Sequence, residues 1–204
     1  MTHMLHRTTS LLNAQVSIDV RDRGFARGAL DGVLGWFHYV DATPCPDELE
    51  RRWRELGGGD RERFARGWAI DAAAEMLEAA GARDYRIAAG NDARMSGRGR
   101  RLTACAGEFE LGADELALAT CDAPAGDASA ITVVGPELAG AVARATSLRR
   151  DGPAPGYEWV ALLAGGRVQA SAGFRALCPR PRRSVRPRPS LQASRPSRPR
   201  FAPV

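Results

Sequence analysis

The stretch FARGWAIDAAAEMLEAA, from Phe64 to Ala80, consists largely of strong helix formers and is followed directly by Gly81. Glycine is the commonest residue just beyond the end of a helix, where the backbone turns left-handed. The apolar positions of the stretch repeat at the spacing of one helix face, namely Ile70, Ala73, Ala74 and Leu77. The sequence therefore predicts a helix over 64–80 that buries this face against another layer of structure.

Three further helices are predicted around this one. Apolar residues spaced by three and four between Leu30 and Val40 indicate an amphipathic helix, which the prolines of Thr43–Pro46 end. The charged segment Asp47–Leu56 predicts a short helix before the three glycines at 57–59. Segment Pro136–Leu148 predicts another, with proline at its first helical position.

Strands are predicted between these helices. Gln15–Val20 alternates apolar and polar residues, as a half-buried strand does. Tyr85–Ala89 is a short strand before the turn residues Gly90, Asn91 and Asp92. The other predicted strands are Leu116–Cys121, Ala130–Val134, Trp159–Leu163 and Arg167–Ser171, the last two forming a hairpin across 164–166. Several strands lack the long apolar runs of a parallel sheet, so we expect an α+β fold, with helices layered on a mostly antiparallel sheet in a single domain over 1–178.

The basic charge of the chain is concentrated at its C-terminus. Residues 179–204 contain eight arginines, seven prolines and no acidic residue, a composition typical of a disordered tail. The tail holds eight of the 29 basic residues, so 1–178 has 21 basic against 24 acidic residues and a net charge of −3. Phe201 is the tail's single aromatic residue, which leaves little for base stacking. We therefore do not expect nucleic acid as a partner.

Other bulk features exclude several classes of protein. No apolar run is long enough to span a membrane, and residues 1–13 lack the hydrophobic segment of a secretory signal, so a cytoplasmic location is expected. Four cysteines stand far apart without a C-x-x-C pair. This spacing predicts free thiols rather than a zinc site or a disulfide framework.

Several of these segments together resemble the FAD:protein FMN transferase family, the ApbE type. Ala65-Arg66-Gly67, with Asp71 after it, resembles the Ala-Lys-Gly turn that opens a helix in that family. RIAAGNDAR, residues 86–94, is similar to its strand and Gly-Gly-Asp turn, and Gly97 follows as the family's turn would have it. Residues 130–148 resemble its strand-Gly-Pro-helix segment ending in Ala-Thr, and 167–174 resemble its last strand.

The resemblance implies a reaction in which FMN moves from FAD to a threonine of an acceptor protein, with AMP leaving and Mg²⁺ assisting. Such a step depends on positioning and on neutralising phosphate charge. The resemblance assigns catalytic roles to Asp92 and Arg66, and metal ligation to the Ala65 carbonyl and the Thr146 hydroxyl. It assigns contacts with FAD to Gly67, Asp71, Gly90 and Asn91, and backbone N–H groups near Gly67 would share the phosphate charge at a helix N-terminus.

The sequence departs from the family pattern at several positions. Val142 stands where the family has a metal-binding aspartate, one helical turn before Thr146. Arg66 replaces the usual lysine, and Asn91 replaces the second glycine. The flavin-contacting stretch has shrunk to 44–63, and 121–127 replaces the family's histidine-containing segment. The alternatives are therefore an inactive flavin- or nucleotide-binding module and a degenerate remnant of the family.

Three of the candidate site residues also have structural explanations. Asp71 can complement a helix dipole. Asp92 can stabilise a turn, and Thr146 can bond back to its own helix. These alternatives stay open at the level of sequence.

Overall fold

The computed structural model describes residues 4–97, 101–104, 107–112, 116–122, 128–151 and 154–178. The strands in chain order are β1 (Leu5–Leu11), β2 (Ala14–Val20), β3 (Tyr85–Ala89), β4 (Asp92–Ser96), β5 (Arg101–Ala104), β6 (Gly107–Glu110), β7 (Ala117–Asp122), β8 (Ala128–Gly135), β9 (Glu158–Leu163) and β10 (Val168–Ala170). The helices are α1 (Arg27–Ala42), α2 (Asp47–Glu55), α3 (Arg61–Ala79), α4 (Leu138–Asp151) and α5 (Ala172–Leu177), and a 3-10 turn spans Ala164–Gly166.

Eight of the described strands form one antiparallel sheet in the order β1-β2-β3-β4-β7-β8-β9-β10, and β5 and β6 pair as a separate hairpin. Val16 pairs with Ala89, and Ala89 pairs with Asp92. The two-residue turns Leu12–Asn13 and Gly90–Asn91 therefore lie at the same end of the sheet. We call this end, with Thr120 of β7, the turn end. Leu12 and Asn13 have φ of 46° and 58°, the left-handed pair of a tight hairpin.

One face of the sheet, the helix face, packs against α1, α3 and α4. Alternate residues of each strand point toward it, as the period of two requires; in β3 these are Tyr85, Ile87 and Ala89. Gly67 lets α3 approach α4 closely, because an added Cβ there would lie 3.1 Å from the backbone of Ala139. The main core therefore lies between three helices and the sheet.

The second face of the sheet has its own, smaller core. The β5–β6 hairpin and α5 cover it through Phe109 and Phe174, whose ring centroids are 4.9 Å apart. Met95, Leu118 and Val160 pack beneath them from the sheet. Hydrophobic residues are thus buried on both sides of the central strands.

The predicted fold class is confirmed, since helices are layered on an antiparallel sheet in a single domain. The strand Tyr85–Ala89 and the hairpin around 164–166 are confirmed. The long helix begins at Arg61 rather than Phe64, because the Asp60 side chain caps it by accepting a hydrogen bond from the Arg63 N–H. Residues 65–67 therefore lie inside α3, and the prediction of a turn opening the helix there is wrong.

Other boundaries also needed correction. Asp92 begins β4, so the turn consists of Gly90 and Asn91 alone. Helix α4 begins at Leu138, two residues after Pro136, so proline is not its first residue. The last strand ends at Ala170, and Phe174 belongs to α5 rather than to that strand.

The residue pattern does not predict β1, β4, the β5–β6 hairpin or α5. β1 (LHRTTSL) is an edge strand with exposed polar residues on much of its length, so it lacks the apolar alternation that marks a strand. Cys45, Cys121 and Cys178 are not part of disulfides, as expected. None of the helices in the described ranges is long and apolar enough to cross a membrane. Cys105 and the tail 179–204 lie outside the described residues, so the boundary at 178 and the tail's disorder stay predictions.

Candidate functional site

The turn end gathers segments that are far apart in the sequence. The Leu12 N–H donates to Asp41 Oδ1 of α1 over 2.6 Å. Arg66 Nη1 of α3 donates to the Leu12 carbonyl over 2.9 Å. The first β-turn is thereby tied to two helices, and Arg66 is held with most of its side chain buried.

A buried ion pair joins α3 to the sheet at this end. Arg63 Nε donates to Asp92 Oδ2 over 2.7 Å, and Arg63 Nη2 donates to Asp92 Oδ1 and, over 2.7 Å, to the Thr120 carbonyl. The Thr120 N–H also donates to Asp92 Oδ1, over 3.2 Å. Burial alone would lower the pKa of the Arg63 guanidinium, but the hydrogen bonds and charge of Asp92 outweigh it and raise that pKa. The Arg63 guanidinium is therefore charged, and its donors are satisfied by Asp92 and the Thr120 carbonyl.

Arg63 was missed at the level of sequence. It lies four residues before Gly67, so it extends the inner face of α3 by one turn toward its N-terminus. The sequence does offer one signal: Arg63 is a charged residue on a helix face whose later residues are apolar. The resemblance instead places Arg63 at the end of the shortened stretch 44–63.

The two predicted metal ligands lie in different surroundings. Thr146 Oγ1 donates to the Val142 carbonyl over 2.6 Å, and an added Cβ at Gly59 would lie 3.1 Å from Thr146 Cβ. Ala65 lies in the interior of α3, where a backbone carbonyl accepts the bond of the next turn. Its side chain lines a cavity formed with α1 and α2.

This donor set does not fit a magnesium ion. Mg²⁺ takes oxygen ligands in a near-octahedral arrangement. The side chain of Val142, which is buried one helical turn before Thr146, offers only carbon atoms. Within the described ranges, no three His, Cys, Asp or Glu residues group together as a metal site would need. Ligation by Ala65 and Thr146 stays a prediction.

Asp71 and Gly67 lie at the N-terminus of α4, away from the turn end. Asp71 Oδ1 and Oδ2 accept the N–H groups of Leu138 and Ala139, each over 2.9 Å. Arg94 Nε lies 3.8 Å from Asp71 Oδ1. Burial raises the pKa of Asp71 to about 6, although the two N–H groups oppose the rise. In this position the side chain caps α4, a different helix from the one that carries it, whereas the structural alternative concerned the first turns of its own helix.

An apolar cavity of 80 Å³ opens at the turn end, where Leu12, the residue that Arg66 contacts, is part of its lining. Its walls come from the β1–β2 turn, α1, α2, α3 and the loop between α1 and α2, and include Leu12, Tyr39, Pro44, Cys45, Leu49 and Trp68. The rings of Trp68 and Tyr39 both lie against Trp36, at centroid distances of 5.3 and 5.8 Å. Burial raises the pKa of the Cys45 thiol, so the thiol is neutral near pH 7.

The predicted site residues therefore divide into two groups. The turn end holds Arg66, Asp92, Gly90, Asn91, Ala65 and Thr146. Gly67 and Asp71 lie together at the start of α4. Gly90 and Asn91 border a cleft on the second face of the sheet rather than the apolar cavity.

Solved structures with the same fold include two that are flavin transferases by name. The flavinyl transferase ApbE of Pseudomonas stutzeri aligns at a TM-score of 0.67 and 14% identity, over 87% of this chain and 98% of that one. The flavin transferase ApbE of Vibrio cholerae aligns at 0.66 and 14%, over 87% and 100%. The ApbE protein of Thermotoga maritima aligns at 0.65 and 13%, over 87% and 100%.

These likenesses confirm the ApbE-like fold that the sequence motifs predict. At this level of identity they establish the fold alone. No protein-family model and no curated protein sequence matches the chain.

Proposed function

We propose that this chain binds a flavin dinucleotide, FAD, at the turn end. The observation that supports the proposal is the ApbE-like fold, with an aromatic-walled cavity whose lining residue Leu12 is hydrogen-bonded to the largely buried Arg66. FAD combines flat apolar rings with an anionic pyrophosphate, so it requires such a surface next to a cation.

Arg66 is the residue proposed to meet the pyrophosphate. Its Nη1 is engaged with the Leu12 carbonyl, but its Nε is buried without a hydrogen-bond partner. Its carboxylate neighbour Glu62 lies 3.9 Å away and is half exposed. The guanidinium therefore has donors to spare for a phosphate oxygen, and arginine binds phosphate in a two-point geometry that lysine lacks.

The rings are proposed to rest at the mouth of the apolar cavity. Its volume of 80 Å³ admits part of a ring system rather than the three-ring flavin. Tyr39 is 59% exposed at this mouth and offers a stacking face. The ring would therefore stack across Tyr39 and Trp68 instead of entering fully.

Transfer of FMN to a protein threonine is the second candidate, and the fold shared with named flavin transferases favours it. In that step the threonine oxygen forms a bond to the FMN phosphorus, the pyrophosphate P–O bond breaks and AMP leaves with the electron pair. The proton of the threonine hydroxyl passes to solvent. Arg66 would offset the phosphate charge. Magnesium would add further charge neutralisation, but the residues at its expected place do not fit it. Binding is therefore better supported than turnover.

The test is a titration of the full chain with FAD, with and without Mg²⁺, followed by flavin fluorescence and by chromatographic detection of AMP. We expect saturable binding that Arg66→Gln weakens by about tenfold, the loss of one charge-assisted contact. Arg27→Gln, on the exposed start of α1, removes the same charge as a control and leaves affinity unchanged.

The outcomes separate the candidates. Saturable binding without AMP supports the binding module. Binding with magnesium-dependent AMP release supports the transferase, with a threonine-bearing protein as acceptor. If FAD does not bind at all, the shared fold reflects descent and the proposed function is wrong.

A further inference from the structure

A second cleft lies on the face of the sheet opposite α3 and α4. It has a volume of 620 Å³, within the range of small-molecule sites. β3, β4 and β7 form its floor and the β5–β6 hairpin forms one wall. Its apolar floor consists of Ala93, Leu102 and Leu118.

Arg86 projects into this cleft from the middle of β3. Its Nε is buried and makes no hydrogen bond within the described residues. The cross-strand neighbour Asp19 is paired with His6 instead, at 2.6 Å. A partly buried guanidinium without an anion is unfavourable in the free protein. This arrangement indicates that an anionic group completes the site.

A second arginine lies across the cleft. Arg101 of β5 is exposed on the hairpin wall and has no carboxylate within ion-pair distance in the described chain. Asn91 and Thr103 add neutral donors to the rim. Two cations and two uncharged donors can therefore surround one small anion over an apolar floor.

We infer that this cleft binds a small organic anion, with one phosphate or carboxylate group held by Arg86 and Arg101 and an apolar body on Leu102 and Leu118. Glu108 also lines the cleft, on the hairpin opposite Thr103. Its negative charge opposes a second anionic group, so the ligand has one. The cleft lies on the other face of the sheet from the apolar cavity, so this site is distinct from the place proposed for the flavin rings.

The experiment uses three probes that share one ring, namely phenyl phosphate, benzoate and neutral benzamide. Each is titrated into the full chain while the arginine Nε–Hε resonances are followed by NMR. We expect phenyl phosphate or benzoate to shift the Arg86 resonance saturably, and benzamide to leave it unmoved. The affinities of the two anionic probes are then compared, and the tighter one shows whether the site prefers a phosphate or a carboxylate group.

Three variants localise the site. Arg86→Gln and Arg101→Gln should each weaken binding of the anionic probe by about tenfold, as expected for one charge-assisted contact. Glu108→Gln should strengthen it. Arg167→Gln, on the exposed turn before β10, matches the loss of charge and leaves affinity unchanged.

The inference is overturned if neither anion shifts Arg86, or if Arg167→Gln weakens binding as much as the cleft variants do. Thermal melting of each variant identifies loss of folding. Because Arg101 is exposed, its variant still tests the site if Arg86→Gln does not fold.

Discussion

Arg63 and Asp92 form a two-point ion pair between helix α3 and strand β4, with both side chains largely removed from solvent. Each carboxylate oxygen accepts from the guanidinium, and Oδ1 also accepts from the Thr120 N–H. Asp92 is thereby fixed at the turn end by three donors. Its predicted catalytic role stays a prediction, but its structural role follows directly from these contacts.

Replacing Asp92 with asparagine leaves the Arg63 guanidinium buried and without its counter-charge. Loss of one partner of a buried pair destabilises a protein by about 3–5 kcal/mol. We expect Asp92→Asn to lower the free energy of unfolding in urea by an amount in this range. Glu48→Gln serves as the control, because it also removes one carboxylate from an ion pair, but the Glu48–Arg51 pair, at 3.8 Å, is exposed to solvent. Equal losses in the two variants would show that the Arg63–Asp92 pair does not hold α3 to the sheet.

Asp71 makes stability depend on pH between its unfolded and folded pKa values. Burial raises its pKa from 3.8 to about 6, so the folded state binds this proton more tightly than the unfolded chain does. The stabilisation from that proton is complete below about pH 4 and is lost as pH rises through 6, a change of roughly 3 kcal/mol. The sign is opposite to that of a salt-bridged carboxylate.

The measurement is urea unfolding of the wild-type chain and Asp71→Asn across pH 4 to 7. Subtracting the two curves cancels every other titrating group. The free energy of unfolding of the wild type relative to the variant should fall across this range and then level off. A difference that stays constant with pH would mean that the pKa of Asp71 is unperturbed in the fold.

We expect any side chain at position 97, in place of Gly97, to lower the free energy of unfolding for two separable reasons. Its φ is +102°, and an added Cβ would lie 2.7 Å from the Asp84 Cα. Gly81, with φ of +93° and open space around it, shares the first reason alone. Both alanine variants should lose about 1 kcal/mol from backbone strain, and Gly97→Ala should lose a further 1–3 kcal/mol or so from the clash. Chemical unfolding of both variants decides the matter, and equal losses would rule out the close contact with Asp84.

The sequence predicts the layers of this fold better than the contacts at its site. The helix around Ile70 and the strand Tyr85–Ala89 have periodic apolar residues, and both elements bury these residues in the structure. β1 has no such pattern, because most of its side chains are exposed at the edge of the sheet. Its place in the sheet is set instead by the Leu12–Asn13 turn and by pairing with β2. Local periodicity therefore identifies core elements and misses an edge strand.

The site is harder to predict for a physical reason. Arg63 and Asp92 are 29 residues apart, and their pairing depends on where α3 begins. That start is set by the Asp60 cap, which adds a turn before Phe64. The family motif predicts that residues 65–67 begin the helix. Because the helix has one more turn before them, these residues lie inside it.

Val142→Asp tests whether the missing carboxylate alone separates this chain from a magnesium site. Val142 and Thr146 lie on one face of α4, since the Thr146 hydroxyl reaches the Val142 carbonyl. An aspartate there would be buried and unpaired, so we expect its melting temperature in EDTA to fall well below that of wild type. Millimolar Mg²⁺ should then raise that temperature if the carboxylate and Thr146 ligate the ion, because a ligand that binds only the folded state stabilises it.

Val142→Asn is the matched control for that experiment. It places an equally polar, uncharged group at the same buried position, so its melting temperature should fall but respond little to magnesium. AMP release from FAD, measured on the same samples, reports whether a restored ion also restores transfer. If the aspartate and asparagine variants respond identically to Mg²⁺, the loss of the site extends beyond position 142, to Ala65 in the interior of α3 and to the shortened stretch 44–63.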